Sequence, residues 1–326
     1  MPVVMKLQKM CMSQRLNKVI FFCWTLLLIF HTPVDLSAQC CSTGNPVGAS
    51  TYVGVLDKNA LRVTGFYRQS FSDVYYEGSK PSDDSLDMAN NAHYSFAGLS
   101  MEYGVSHRLT AQLDMGYFFS KVVDFRNDLL TDHNGKGLSN GLAMLKYALY
   151  MDTRRNIEVT TGLGLKFPFT LEPMKAPNGT LLQLDARPST NAFGMAGTLL
   201  LSKEYPDSYL RLFLFNRYEY NFANRNDYQS GQLVLNSLFI SRKLVPKLFG
   251  IVQLRNEVHG RDIQKDEKEV NTGYHLLVFT PQLSYSLKGA WIISALYDIP
   301  VYRNYKGKQL SPQYSFALSL SRNLSL

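Results

Sequence analysis

At 326 residues the chain is long enough for two soluble domains or one large barrel, and length alone selects neither. Its net charge of +8 at pH 7 is modest and spread out. No basic cluster interleaved with aromatics marks a nucleic-acid surface, so nucleic acid is excluded as a partner.

The first 38 residues stand apart from the rest. Lys6, Lys9, Arg15 and Lys18 precede an apolar run from Val19 to Phe30, and Leu36-Ser37-Ala38 follows. Basic, then apolar, then small is the order of a secretory signal, with cleavage expected after Ala38. The run is too short for a membrane-spanning helix, which takes about 20 residues. Residues 1–38 carry four of the 34 basic residues and one of the 26 acids, so the excess falls to +5 after cleavage. Cys11 and Cys23 leave with the signal. Cys40 and Cys41 then sit in residues 39–58, a periplasmic tail or a plug. Neither a further Cys nor a nearby His completes a zinc site around them.

From residue 59 to 326 the chain alternates with period two. In Leu109–Phe119 one face reads Leu, Ala, Leu, Met, Tyr, Phe and the other Thr, Gln, Asp, Gly, Phe. Ile157–Phe167 places Glu158 and Lys166 on its polar face, and Tyr314–Leu320 sets large apolar residues against Ser and Ala. Twelve such segments lie near 60–75, 92–105, 108–122, 138–151, 156–169, 191–203, 208–222, 229–243, 247–259, 272–287, 290–302 and 311–326. The connections alternate in length. Glu77–Asn90, Asn127–Lys136, Leu171–Ser189 and Gly260–Asn271 are long and polar, whereas Ser106-His107, Tyr205-Pro206-Asp207 and Val245-Pro246 are tight turns. The spacing predicts an all-β fold: a transmembrane up-and-down antiparallel β-barrel of about 12 strands, with both termini on the short-turn, periplasmic side. A β-sandwich also alternates, but its strands are usually ~5–6 residues long. These approach the ~9–11 needed to cross a membrane at a tilt. The 20 Tyr and 19 Phe, many near segment ends, suit interfacial girdles. An open edge in lipid would leave backbone groups unpaired, so the sheet must close.

Further motifs run in a fixed order: Gly164-Leu165-Lys166-Phe167-Pro168, Leu182-Gln183-Leu184, Tyr228-Gln229-Ser230-Gly231-Gln232-Leu233, Glu257-Val258-His259-Gly260-Arg261-Asp262, Thr280-Pro281-Gln282-Leu283-Ser284-Tyr285 and Asp298-Ile299-Pro300-Val301-Tyr302. In these the chain resembles the outer-membrane proteins of the meta-pathway phenol-degradation family, over roughly half its length. That family is regarded as transporters, related in architecture to fatty-acid and aromatic-hydrocarbon barrels. The resemblance implies transport and leaves the solute open. It departs at Phe169-Thr170-Leu171, where the family more often has Thr-Gly after the proline.

A lumen built from the polar faces would hold Asp114, Glu158, Lys166, Arg211, Arg217, Glu219, Gln253, Arg255, Glu257 and Asp298. These residues either line a charged solute path or pair with each other and fill the lumen. Phe118, Phe213 and Phe215 fall on the same faces and hint at an apolar pathway. His93-Tyr94-Ser95 is similar to the His-x-Ser of outer-membrane phospholipase, but the position of its orienting Asn is taken by Val105, and the pair falls on the face of Leu99 and Met101, which is expected to meet lipid. The charged loop His259–Glu269 reads as a solvated extracellular loop. The expected function is passive passage of small apolar or aromatic solutes through the cell outer membrane, not enzymatic and with no cofactor or metal. Its partners would be outer-membrane lipid, a small-molecule solute and the barrel-assembly machinery. The alternatives are a structural or partner-binding barrel with a filled lumen and, third, a lipid hydrolase using His93 and Ser95.

Overall fold

The computed structural model describes residues 54–82, 89–125, 133–176, 179, 181–182, 184–287 and 290–325. The signal, Cys40, Cys41 and most of the expected tail lie outside the described residues. Alternating side chains make the strands β1 (Ala60–Gly78), β2 (Ala89–Ser106), β3 (Leu109–Phe125), β4 (Gly141–Asp152), β5 (Ile157–Phe167), β6 (Gly194–Tyr205), β7 (Leu210–Asn221), β8 (Leu233–Val245), β9 (Leu248–His259) and β10 (Tyr274–Ser286). The remaining strand segment, Trp291–Ser325, is 35 residues long. Fully extended it would measure about 115 Å at ~3.3 Å per residue, far beyond a bilayer. It is a hairpin. Its first half, β11 (291–305), pairs with β10, and its second, β12 (308–325), pairs with β1 from Ala60↔Ser325 to Glu77↔Lys308. The amide of Asn323 donates to the carbonyl of Ala290 at 3.2 Å and ties the hairpin's two ends together.

Every strand pairs antiparallel with its neighbours in sequence, and β12 meets β1, so the sheet closes into a twelve-stranded barrel. All backbone donors and acceptors of the wall can then be met within the wall. The segmentation read from the sequence holds strand for strand, with ends displaced by a few residues. The outward face is the one expected. Leu163, Leu165, Leu199, Leu214, Leu238, Val252, Leu254 and Leu283 are exposed along the middle. Tyr103, Tyr147, Tyr205, Tyr209, Phe249 and Tyr285 ring the short-turn end, and Tyr117, Phe119, Phe169, Phe193, Tyr218 and Phe222 ring the other. An apolar band between two aromatic girdles is the surface of a barrel in lipid.

The facing can be tested directly. Leu163, 74% exposed on β5, is expected to tolerate Arg poorly. A lipid-facing Arg near mid-membrane costs about 2–4 kcal/mol. Gln112→Arg on the inner face of β3, where Asp114 is a ready partner, should assemble normally. The readout is the fraction of each variant that folds into lipid vesicles, and equal yields would mean that β5 does not face lipid there.

Two extramembrane features depart from the sequence reading. The loop after β9, expected to be solvated, joins the loop after β7 in a small sheet of Tyr228–Gln229, Ile263–Gln264 and Glu267–Lys268. Asp262 locks it: its carboxylate accepts from the Tyr228 hydroxyl at 2.5 Å and the Gly231 amide at 2.7 Å. The connection after β5, read as an outer loop, turns inward.

Candidate functional site

The inward positions are even-numbered on β2, β4, β5, β6 and β10, on β3 as far as Phe118 and on β11 as far as Asp298, and odd-numbered on β7, β8 and β9, as their burial shows. By this alternation all nine charged candidates and Gln253 lie on the inner face. They are not gathered at one centre. Asp298 on β11 receives Arg255 of β9, with Nη1 and Nη2 at 3.4 and 3.1 Å, and Arg68 of β1 at 3.3 Å. Thr280 and Ser315 add hydroxyl donors at 2.5 and 2.8 Å. The other side of Arg255 is taken by Glu257. Glu219 on β7 binds Lys166 of β5 and its own-strand neighbour Arg217 at 2.5 and 2.6 Å. A third group was missed by sequence reasoning: Glu102 on β2 with Lys146 of β4 and Arg62 of β1.

Each group joins strands that are neighbours or one apart, so the ion pairs run along the wall and tile its circumference. Arg211 on β7 lies half the barrel away from Arg62, and their charges act on each other across the lumen. Asp114 accepts from Ser100 at 2.6 Å and from Gln112. Glu158 accepts from Thr160 at 2.6 Å and from the Val55 amide at 3.0 Å.

That last bond belongs to a strap. Residues 54–59 run inside the short-turn end before entering β1. Leu56 donates its amide to Thr110 Oγ1 at 2.8 Å, and Asn59 donates to the carbonyl of Gly104. A Cβ at Gly104 would lie 1.9 Å from the carbonyl oxygen of Asp57, so only glycine lets the strap lie this close to β2. Gly104→Val suits a strand and should leave the barrel intact while displacing the strap. The expected result is faster proteolysis between residues 54 and 59 and a higher ion conductance; an unchanged protein on both counts would remove the strap as a constriction.

The apolar side of the lumen is continuous. Leu200, Phe213, Phe215, Leu235, Phe239 and Ile251 form one buried cluster on β6–β9, with Phe213 and Phe239 stacked at 4.3 Å. Phe118 is also buried inward, against Phe96 at 4.7 Å. The adjoining arc, on β10–β12 and β1, carries buried hydroxyls: Thr64, Ser284, Ser294, Ser319 and Ser321.

The inturned connection, residues 168–193, narrows the end opposite the strap. Ala186 is fully buried against Ala89, Ala92, Val123 and Phe125. Gly135, on a short strand (His133–Leu138) paired to β3, has room for no Cβ, which would stand 1.7 Å from the Ala186 carbonyl oxygen. Asn140 anchors the returning chain: its side-chain nitrogen donates to Thr190 Oγ1 and the Ala192 carbonyl, and its oxygen accepts from Ser189 Oγ and the Thr190 amide. Lys121 of β3 donates to the Arg187 carbonyl at 3.0 Å. Between this connection and the wall lies a cavity of about 130 Å³, bordered by Arg68, Lys121, Asp185, Leu235, Leu276 and Val278.

Burial pushes the Asp185 carboxyl from 3.8 up to about 7; Lys121 works against this and Asp262 adds to it. A carboxyl raised in the docked loop favours docking while it holds its proton. Docking is therefore strongest below about 4 and weakens as pH rises to about 7, where the buried group must charge. Ion conductance should therefore rise between about pH 4 and pH 7 and level off above it, and Asp185→Asn should flatten that dependence. A pH profile unaltered by the substitution would assign the titration elsewhere.

His93 is exposed on the outward face of β2 with its ring 3.2 Å from Asn91 Oδ1, and Ser95 Oγ accepts from Gln69 at 3.5 Å. The two side chains engage different neighbours.

No protein-family model matches the chain, and no curated protein does. Among solved structures, an outer membrane channel from Pseudomonas putida F1 superposes with a TM-score of 0.66 at 12% identity, covering 86% of this chain and 99% of that one. The NanC porin is more distant, at a TM-score of 0.45 and 14% identity over 81% of this chain and 100% of its own. So is a Pseudomonas aeruginosa FadL homologue, at 0.42 and 8% over 82% and 90%. The closed wall, the apolar band with its two girdles and the first of these likenesses establish the fold as that of an outer-membrane β-barrel.

Proposed function

We propose that the protein is an outer-membrane channel for passive uptake or efflux of small apolar or aromatic solutes. The observation that carries this reading is the two-sided lumen. A continuous apolar stripe from Ile251 and Phe239 to Leu235 runs beside a hydroxyl-lined wall, and the ion pairs are held against the wall. A ring can slide along the stripe while water and polar substituents keep to the other side. The resemblance to the meta-pathway family, which includes Asp298-Ile299-Pro300-Val301-Tyr302, supports an aromatic solute. The superposed Pseudomonas putida protein, itself a channel, supports passage. On this reading residues 1–38 are the export signal, and Asp114, Glu158, Lys166, Arg211, Arg217, Glu219, Arg255, Glu257 and Asp298 border the path.

A second reading, a structural barrel with a filled lumen, is favoured by the strap at one end and the inturned connection at the other. Reconstituted protein separates the two. Ion conductance in planar bilayers together with uptake of a small aromatic by proteoliposomes is the result expected of a channel. A correctly folded barrel that passes neither ion nor aromatic solute beyond protein-free vesicles would establish the structural reading.

A further inference from the structure

We infer that the cavity beneath the inturned connection is a binding site for a single-ring aromatic carboxylate, which deepens the channel reading by giving it a preferred solute class.

Size comes first. The cavity, at about 130 Å³, is close to the ~150 Å³ of an apolar cavity known to take one benzene ring. Its walls differ in kind. Leu235, Leu276 and Val278, from β8 and β10, are buried and supply an apolar face. Arg68 and Lys121, from β1 and β3, supply cations, and the acids Asp298 and Glu257 that also border it are taken up by Arg68 and Arg255.

Arg68 makes the site anionic in preference. It is buried, and one of its arms reaches Asp298, yet its Nε has no hydrogen-bond partner among the described residues. Asp298 cannot readily serve it: its two oxygens already accept from Thr280, Ser315 and both terminal nitrogens of Arg255. A guanidinium donor left buried and unpaired is costly, and a carboxylate is the acceptor that suits it best in charge and geometry. Asp185 is the acid that the inturned connection brings to the cavity. With its carboxyl raised to about 7, it is mostly protonated in mildly acid solution and donates rather than repels there. A neutral hydrocarbon would satisfy the apolar face and leave the Arg68 Nε unpaired. A phosphate would satisfy Arg68 and leave the apolar face against a polar ion.

Benzoate is the probe. Its binding to the detergent-solubilised full-length protein is measured by calorimetry at about pH 6, and its effect on chloride current is measured in bilayers. Saturable binding is expected, with toluene and inorganic phosphate failing to compete. Arg68→Lys keeps a cation beside Asp298 and removes the side-on donor, and should weaken benzoate by about tenfold, as loss of one charged hydrogen bond does. Val278→Phe fills the apolar side without touching a charge, and should abolish binding in a barrel shown to be folded by its resistance to unfolding in cold detergent. Benzoate that fails to bind, or binds R68K and V278F as it binds the parent, overturns the inference. If chloride current persists in that case the channel reading stands without it. If benzoate binds where no current flows, the site is real and the channel reading falls.

Discussion

Replacing residues 172–188 by a short glycine-serine turn is expected to raise single-channel conductance several-fold. The inturned connection obstructs the lumen because it brings the fully buried Ala186 against the inner faces of β2 and β3. The barrel itself should survive. The strands on either side, β5 and β6, pair with each other over ten residue positions from Ile157↔Lys203 to Lys166↔Gly194, and none of those bonds needs the loop. Shortening a loop changes its closure entropy only slowly with length. What is lost is the packing of Ala186 on Ala89, Ala92, Val123 and Phe125, which a water-filled mouth exposes. A milder version is Asn140→Ala, which removes an anchor with four hydrogen bonds to 189–192 and should give current that flickers between the parent and the loop-deleted level. Parent-like conductance in the deletion, with the barrel folded, would mean that the constriction lies elsewhere, with the strap the next suspect.

The strand pattern was legible because one face of each strand meets lipid and the other does not, and period two registers that difference directly. Glu102 and Lys146 carried the same signal as the residues singled out; they sit on inward even positions and were passed over among many polar residues. Lys121 was not legible. Counted by alternation from Leu113 and Met115 it belongs outside, but a bulge lets Ser95 pair with Ser120 and Phe96 with Phe118, which turns Lys121, Val123 and Phe125 inward. A bulge adds a residue to one strand without changing its composition, so the sequence offers no mark of it. Arg303 is a parallel case beyond the irregularity between Leu277 and Val278, and it ends over the Tyr76 ring at 5.1 Å. The inturned connection was hidden for a different reason. Its polar residues suit solvent as well as they suit hydrogen bonds to Asn140, and only tertiary contact decides between these. The joined loops after β7 and β9 were hidden the same way, since Asp262 reads as one more charge in a charged stretch.

Asp298→Ala should be among the most destabilising single substitutions in the wall. Asp298 is the shared acceptor of two guanidinium groups and two hydroxyls, and it is almost wholly buried. Removing it leaves Arg68 and Arg255 side by side on the inner wall with a single acid, Glu257, on the far side of Arg255. Breaking a buried ion pair by deleting one partner typically costs about 3–5 kcal/mol, most of it from the charge left behind. Asp298→Asn keeps the shape and an oxygen for Thr280 and Ser315, and should recover part of the loss. The double variant Arg68→Met with Asp298→Leu removes one charge of each sign. Because the cost lies in stranded charge and not in a missing attraction, it should be more stable than Asp298→Ala alone, with Arg255 still held by Glu257. Urea unfolding of the four proteins in lipid vesicles gives the ordering. The same set reports on the lumen: Asp298→Ala leaves it more cationic and should move ion preference toward anions, most clearly at low salt where screening is weakest. An Asp298→Ala barrel as stable as the parent and unchanged in selectivity would show that Asp298 holds no buried charge at the path's edge.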